Sequence, residues 1–183
     1  MARVTLVRHG RATAGWDDHP DPGLDDIGRA QAEAVGELLA RGGLAPIHTS
    51  PMRRCQETAR PLARRWNTTP IIDSAVSEIP SPVGVPEGER VEWLRDAMLG
   101  TWPDLGADYV RWRDGVVAAV GACADGTVIV SHFVAINAVI GAALGDDRVL
   151  IRSLDNCSRT VVETTADGIV LIEGGAEADT LIR

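Results

Sequence analysis

The sequence predicts an α/β fold, a three-layer α/β/α sandwich with a mostly parallel central sheet, over residues 1–183 as one domain. Strand-like and helix-like stretches alternate along most of the chain. With 45% of its residues hydrophobic, the chain can bury a core without disulfide or metal staples. No repeat, low-complexity tract or linker divides it.

Residues 3–7 form a β-rich run that ends at Arg8-His9-Gly10, and a polar loop rich in Asp, Pro and Gly continues to about residue 24. Asp25 is placed to cap a helix carrying Ile27, Ala30, Ala34 and Leu38 on one face, stopped by Gly42-Gly43. Residues 45–49 make a second strand. Ser50 then precedes Pro51, the arrangement of a cap and a first helical residue, and Pro61 is expected to kink or interrupt that helix before Trp66. Residues 70–73 read as a third short strand. The prolines at 80, 82 and 86 demand a loop. A helix follows over roughly 89–99, in phase at Val91, Leu94 and Met98. Another starts near Asp108 and carries Tyr109, Trp112, Val116 and Val120. Residues 127–131 are a buried-type strand followed at once by His132, and the apolar run 133–144 is a helix ending at Gly145. A hairpin with Asp167-Gly168 at its turn closes the pattern.

Composition removes several functions. The net charge is −8, which disfavours general nucleic-acid binding, although a local basic pocket for a small anion stays possible. All 18 basic residues are arginine, so a lysine-containing phosphate loop and Schiff-base chemistry are both ruled out. A coding bias toward arginine accounts for most of them, and position decides which few matter. Cys55, Cys123 and Cys157 are widely spaced thiols without metal-site spacing, as in a reducing compartment. No apolar stretch reaches the length of a membrane span or reads as a signal peptide, so the expectation is a cytoplasmic protein with no membrane partner. The sequons at Asn67 and Asn156 carry no meaning without secretion. Oligomeric state is not legible.

In parallel sheets of this kind ligands bind beyond the carboxyl ends of the strands. Two of the four histidines, His9 and His132, stand there. A histidine at a strand end is usually a hydrogen-bonded structural residue. Two in equivalent places, one set between an arginine and a glycine, favour a paired active site.

The segments around them resemble those of the histidine phosphatase superfamily, which includes cofactor-dependent phosphoglycerate mutases. Leu6-Val7-Arg8-His9-Gly10 is similar to its L-V-R-H-G signature, and the run from Leu24 to Ala32 to its L-[TS]-x-x-G-x-x-Q-A helix start. The run from Thr49 to Ala59 resembles T-S-P-L-x-R-A-x-x-T-A, with Arg54 at the invariant arginine, and Val128 to His132 resembles V-x-V-[ST]-H. The segments occur in the family's order and span most of the chain.

The resemblance implies a phosphoglycerate mutase-like fold with His9 as nucleophile, its other ring nitrogen donating to a backbone carbonyl. Arg8 and Arg54 would grip phosphate oxygens and His132 would add a donor, with no cofactor and no metal. Asp73 to Ile79 resembles the segment bearing the general acid, which marks Glu78. The run Pro80-Ser81-Pro82 departs from the family's continuation there, and an exposed loop glutamate is the competing reading. Thr13 either offers its hydroxyl to phosphate or serves the turn. Arg53, Arg60, Arg64 and Arg65 read as solvated helix residues, and His19 and His48 as bystanders. Phe133, the only phenylalanine, stands where relatives commonly carry glycine. Trp93 and Trp102 either form an apolar lid or pack a helix onto the core. The expected activity is hydrolysis of a small phosphorylated metabolite through a phosphohistidine. A mutase-type phosphotransfer and a non-catalytic phosphate-binding or signalling module are the alternatives.

Overall fold

The computed structural model describes residues 1–14 and 20–178. Six strands form one sheet in the order β3-β2-β4-β1-β5-β6. They are β1 (Ala2–Arg8), β2 (Ile47–Thr49), β3 (Ile71–Ile72), β4 (Val128–Ser131), β5 (Arg159–Thr165) and β6 (Gly168–Glu173). The first four run parallel, and β5 and β6 pair antiparallel at one edge. The helices are α1 (Asp26–Ala40), α2 (Arg53–Trp66), α3 (Arg90–Ala97), α4 (Trp102–Leu105), α5 (Ala107–Gly121) and α6 (Phe133–Leu144).

Alternation along the central strands feeds two cores. Val4 and Leu6 of β1 and Ile129 of β4 join α5 and α6 on one face. Val7, Val128 and Val130 join Ile47 and α2 on the other, where α1 packs against α2. The mostly parallel, doubly covered sheet is the one expected from the sequence.

Several local expectations are corrected. Asp25 does cap α1, accepting from the Gly28 N–H at 2.7 Å. The buried face, however, is Gly28, Ala32, Val35 and Gly36; Ile27 and Leu38 are exposed. Backbone proximity outweighs hydrophobicity here. A Cβ on Gly36 would lie 3.0 Å from the Leu62 nitrogen and from the Pro61 Cβ, so α1 meets α2 through small residues. Helix α2 starts at Arg53, two residues later than expected, after Met52 in an extended conformation. It also continues through Pro61, whose ring is buried against α1. The short α4, closed by a Thr101–Asp104 capping box, was not anticipated. It buries Trp102 completely beside Trp112, with ring centroids 5.6 Å apart. Trp102 is therefore core, and Trp93 packs against the same core beside Tyr109 rather than standing free.

Gly28 carries a larger load than any apolar residue of α1. A Cβ there would sit 2.1 Å from the Arg11 carbonyl oxygen, and a Cβ on Gly10 would sit 2.7 Å from the Gly28 oxygen. The loop after β1 thus lies directly on the first turn of α1, where Gln31 also accepts from the Arg11 N–H. Gly28→Ala gains helix propensity but forces two backbones apart. We expect a net loss of about 1–3 kcal/mol, seen as a melting temperature lowered by roughly 3–10 °C in thermal denaturation followed by circular dichroism. Unchanged stability would show that the approach is not tight.

Candidate active site

The sheet itself brings the two histidines together. β1 and β4 are parallel neighbours in register from Thr5–Val128 to Arg8–Ser131, and the His9 N–H continues the ladder to the Ser131 carbonyl at 3.0 Å. His9 and His132 therefore leave adjacent strands at the same carboxyl end, with ring centroids 5.3 Å apart.

Arg54, in the first turn of α2, joins them. Its Nε donates to His9 Nε2 and its Nη2 to His132 Nδ1, each at 3.2 Å. A guanidinium only donates, so both of these ring nitrogens must carry lone pairs. The remaining nitrogens then hold the protons. His9 Nδ1–H donates to the Gly10 carbonyl at 2.8 Å, and His132 Nε2–H donates to the Ser50 hydroxyl at 2.8 Å. Both rings are held neutral, well below the usual histidine range, first by burial and then by the charge of Arg54. The arrangement leaves His9 Nε2 unprotonated and facing the Arg54 guanidinium.

The guanidinium of Arg54 is unusual in what surrounds it. It is 5% exposed, and its Nη1 is buried without a hydrogen-bond partner. Elsewhere the chain pairs arginine with carboxylates, as in Arg11–Asp25, Arg53–Glu57 and Arg113–Asp147. Among the described residues no carboxylate forms an ion pair with Arg54.

Arg8 is held on two sides. Its Nη1 donates to the Leu154 carbonyl, and its guanidinium carbon lies 4.9 Å from the centre of the Phe133 ring. Burial pulls its pKa down to about 10 against the opposing pull of Glu78 and Asp155. Residues 154–158 also clasp the main chain of the histidine segment. The Arg8 N–H donates to Ser158 O, Cys157 N–H to Arg8 O, and the Asn156 side-chain amide to His9 O at 3.0 Å.

Glu78 enters from the loop after β3. Its carboxylate accepts from the Ile79 N–H at 3.0 Å and from the Val134 and Ala135 N–H groups at 3.3 Å, at the N-terminus of α6. Burial nevertheless raises its pKa, outweighing these donors and the nearby Arg54. It is not the exposed loop glutamate of the competing reading. His132, Phe133 and the two amides that hold Glu78 are four consecutive residues at one helix start, so α6 positions three parts of the site.

Thr13 is exposed and engaged through its backbone, its N–H donating to Gly23 O; the structure shows no contact of its side chain with the site. His48 pairs with Asp73, and His19 lies outside the described residues. Arg53 pairs with Glu57, and Arg64 and Arg65 pair with Glu33, as befits solvated helix residues. Sequence reasoning missed three participants. Ser50, read as a helix cap, orients His132. Thr58 accepts from the Gly10 N–H and donates to Arg54 O, coupling the loop after β1 to α2. Asn156 reaches His9 across 147 residues, a contact with no local signal. Cys55 is buried with its Sγ 3.4 Å from His132 Nε2, and burial raises its thiol pKa.

Comparison with known proteins places this geometry. The family model of the histidine phosphatase superfamily (branch 1) matches residues 4–175. A bifunctional protein of Mycobacterium tuberculosis is 30% identical over 91% of this chain and 51% of its own length, so the chain spans about half of that relative. A protein of Enterobacter sp. named as a probable phosphoglycerate mutase is 31% identical, covering 86% of this chain and 83% of its own. Among solved structures, a mycobacterial glucosyl-3-phosphoglycerate phosphatase superposes with a TM-score of 0.72 at 23% identity, over 98% of this chain and 100% of the other. A phosphoserine phosphatase from Entamoeba histolytica superposes with a TM-score of 0.73 at 20% identity, over 98% of each chain. These two likenesses show the fold. The chain belongs to the histidine phosphatase superfamily.

Proposed function

We propose that this protein is a phosphomonoester hydrolase that works through a phosphohistidine on His9 and needs no metal. The observation that carries the reading is the Arg54 guanidinium: a buried cation with one unpartnered nitrogen, touching two imidazole lone pairs and, among the described residues, ion-paired with no carboxylate. Leaving a buried charged donor unsatisfied costs on the order of 1–3 kcal/mol or more. A phosphate oxygen would satisfy it with a stronger, charge-assisted bond.

In this reading the substrate phosphate draws the Arg54 N–H groups off the imidazoles and onto its own oxygens, with Arg8 as a second cation. His9 Nε2, freed, attacks phosphorus as the ester P–O bond breaks, while His9 Nδ1–H stays on the Gly10 carbonyl and spreads the charge that develops on the ring. Glu78 gives its proton to the departing oxygen. The resulting carboxylate then takes a proton from water as that water attacks phosphorus, the P–N bond breaks, and His9 and phosphate are released. His132 in its present tautomer offers a lone pair to Arg54, so it contributes as a donor to phosphate only when protonated in the complex. Phosphoryl transfer asks mainly for positioning and charge compensation, and these residues supply both.

The substrate we infer is a small phosphorylated metabolite. The three described cysteines are free thiols, which fits a cytoplasmic setting. A mutase-type phosphotransfer is the second reading, favoured by the name of the Enterobacter relative. Incubation with 3-phosphoglycerate and a trace of the bisphosphate separates them: release of inorganic phosphate supports the hydrolase, and isomerisation without release supports the mutase.

With an aryl phosphate and excess chelator, rapid quenching should trap phosphate that is labile in acid and stable in alkali, and His9→Ala should lower turnover by at least about 10⁴-fold. Label on serine or cysteine, or activity that collapses with chelator and returns with a divalent ion, would contradict the mechanism.

The pKa shifts set a second test. Phosphorylation needs His9 neutral and Glu78 protonated. His9 titrates well below 6.5 and Glu78 above 4.5, so the rate with a saturating alkyl phosphate should fall as pH rises through the raised Glu78 pKa. Glu78→Gln should abolish that alkaline limb and slow the alkyl phosphate by about 10²–10⁴-fold, but p-nitrophenyl phosphate, whose leaving group needs no proton, by less than about 10-fold. Equal losses in single-turnover phosphorylation would remove Glu78 from the acid role.

A further inference from the structure

We infer that Phe133 is a positioning residue for the phosphatase reaction: its ring stacks on Arg8 and holds that guanidinium in place for the phosphate. This rests on the reading of the site given above.

Arg8 is 8% exposed and Phe133 is 7% exposed, so water is largely excluded from both. A buried cation must be compensated, and the charges of Glu78 and Asp155 act on Arg8 in that sense. The negative π face of Phe133, 4.9 Å from the guanidinium carbon, adds a contact that bears directly on the group and fixes where it lies. The Leu154 carbonyl acts in the same sense on Nη1. A face held by a ring and an edge held by a carbonyl leave the planar group little freedom to turn.

Phe133 is itself fixed. It is the first residue of α6, directly after His132, and it packs into the core that contains Ile79, Leu94 and Trp102. The ring that orients Arg8 is therefore anchored one residue from the second histidine and one residue before the amide that holds Glu78.

Phe133 is the only phenylalanine of the chain, which permits a test that barely changes shape. Biosynthetic replacement of phenylalanine by mono-, di- and trifluorophenylalanine alters this ring alone and drains its π face stepwise. Stacking of this kind at a desolvated site is worth about 1–2 kcal/mol, so vanadate affinity and kcat/KM for p-nitrophenyl phosphate should fall progressively, by about 10-fold overall at the trifluoro ring. Phe133→Leu, which keeps much of the volume, should lose a similar factor, and Phe133→Tyr should recover most of it. In Arg8→Met the fluorine series should be flat, because the ring would have no cation to hold. A flat series in the Arg8 protein, or an equal decline in Arg8→Met, would overturn the proposal. Hydrogen exchange at the Arg8 Nε–H gives a readout independent of function. Exchange that quickens with each fluorine supports the stack even if the protein neither hydrolyses phosphate nor binds vanadate, and exchange that does not change overturns it.

Discussion

The site is organised by a guanidinium that can only donate. Because Arg54 places one N–H on each imidazole, it dictates which nitrogen of each ring is bare, and hence where each ring proton must go. The Gly10 carbonyl and the Ser50 hydroxyl take those protons. Were a carboxylate present in place of either ring, it would pair with Arg54 and neutralise it. Among the described residues no carboxylate is ion-paired with this buried guanidinium, although Glu78 lies near enough to feel its charge.

That burial depends on close backbone approach. Gly10 and Gly28 let the loop after β1 lie on α1, and Thr58 ties the same loop to α2, so His9 and the arginine that faces it belong to one corner. Residues 154–158 close the corner from the other side by satisfying the main chain around Arg8 and His9. The β1–β4 pair supplies the remaining constraint: parallel neighbours in register must present the residues that follow them side by side.

Glu78 and Arg8 show how one helix start serves opposite electrostatic needs. The amides of Val134 and Ala135 favour the ionised form of Glu78, whereas burial favours the protonated one, and burial prevails. One residue earlier, Phe133 offers Arg8 a π face. A group able to give and take a proton thus stands beside cations that would by themselves hold it ionised.

The sequence by itself determined the alternation of strands and helices and the two histidines at strand ends, because periodicity and caps are local properties, while Arg54 and Glu78 were marked as their partners by the resemblance of their segments to the histidine phosphatase superfamily. The buried face of α1, the true start of α2, the fate of Pro61 and the core position of Trp102 were decided by tertiary packing. There a glycine against a backbone outweighs an isoleucine on the wrong side. Ser50, Thr58 and Asn156 entered the site for the same reason. Each acts through a hydrogen bond to a residue dozens of positions away, and the free energy of such a bond depends on where the folded chain puts its partner, which no stretch of local sequence encodes.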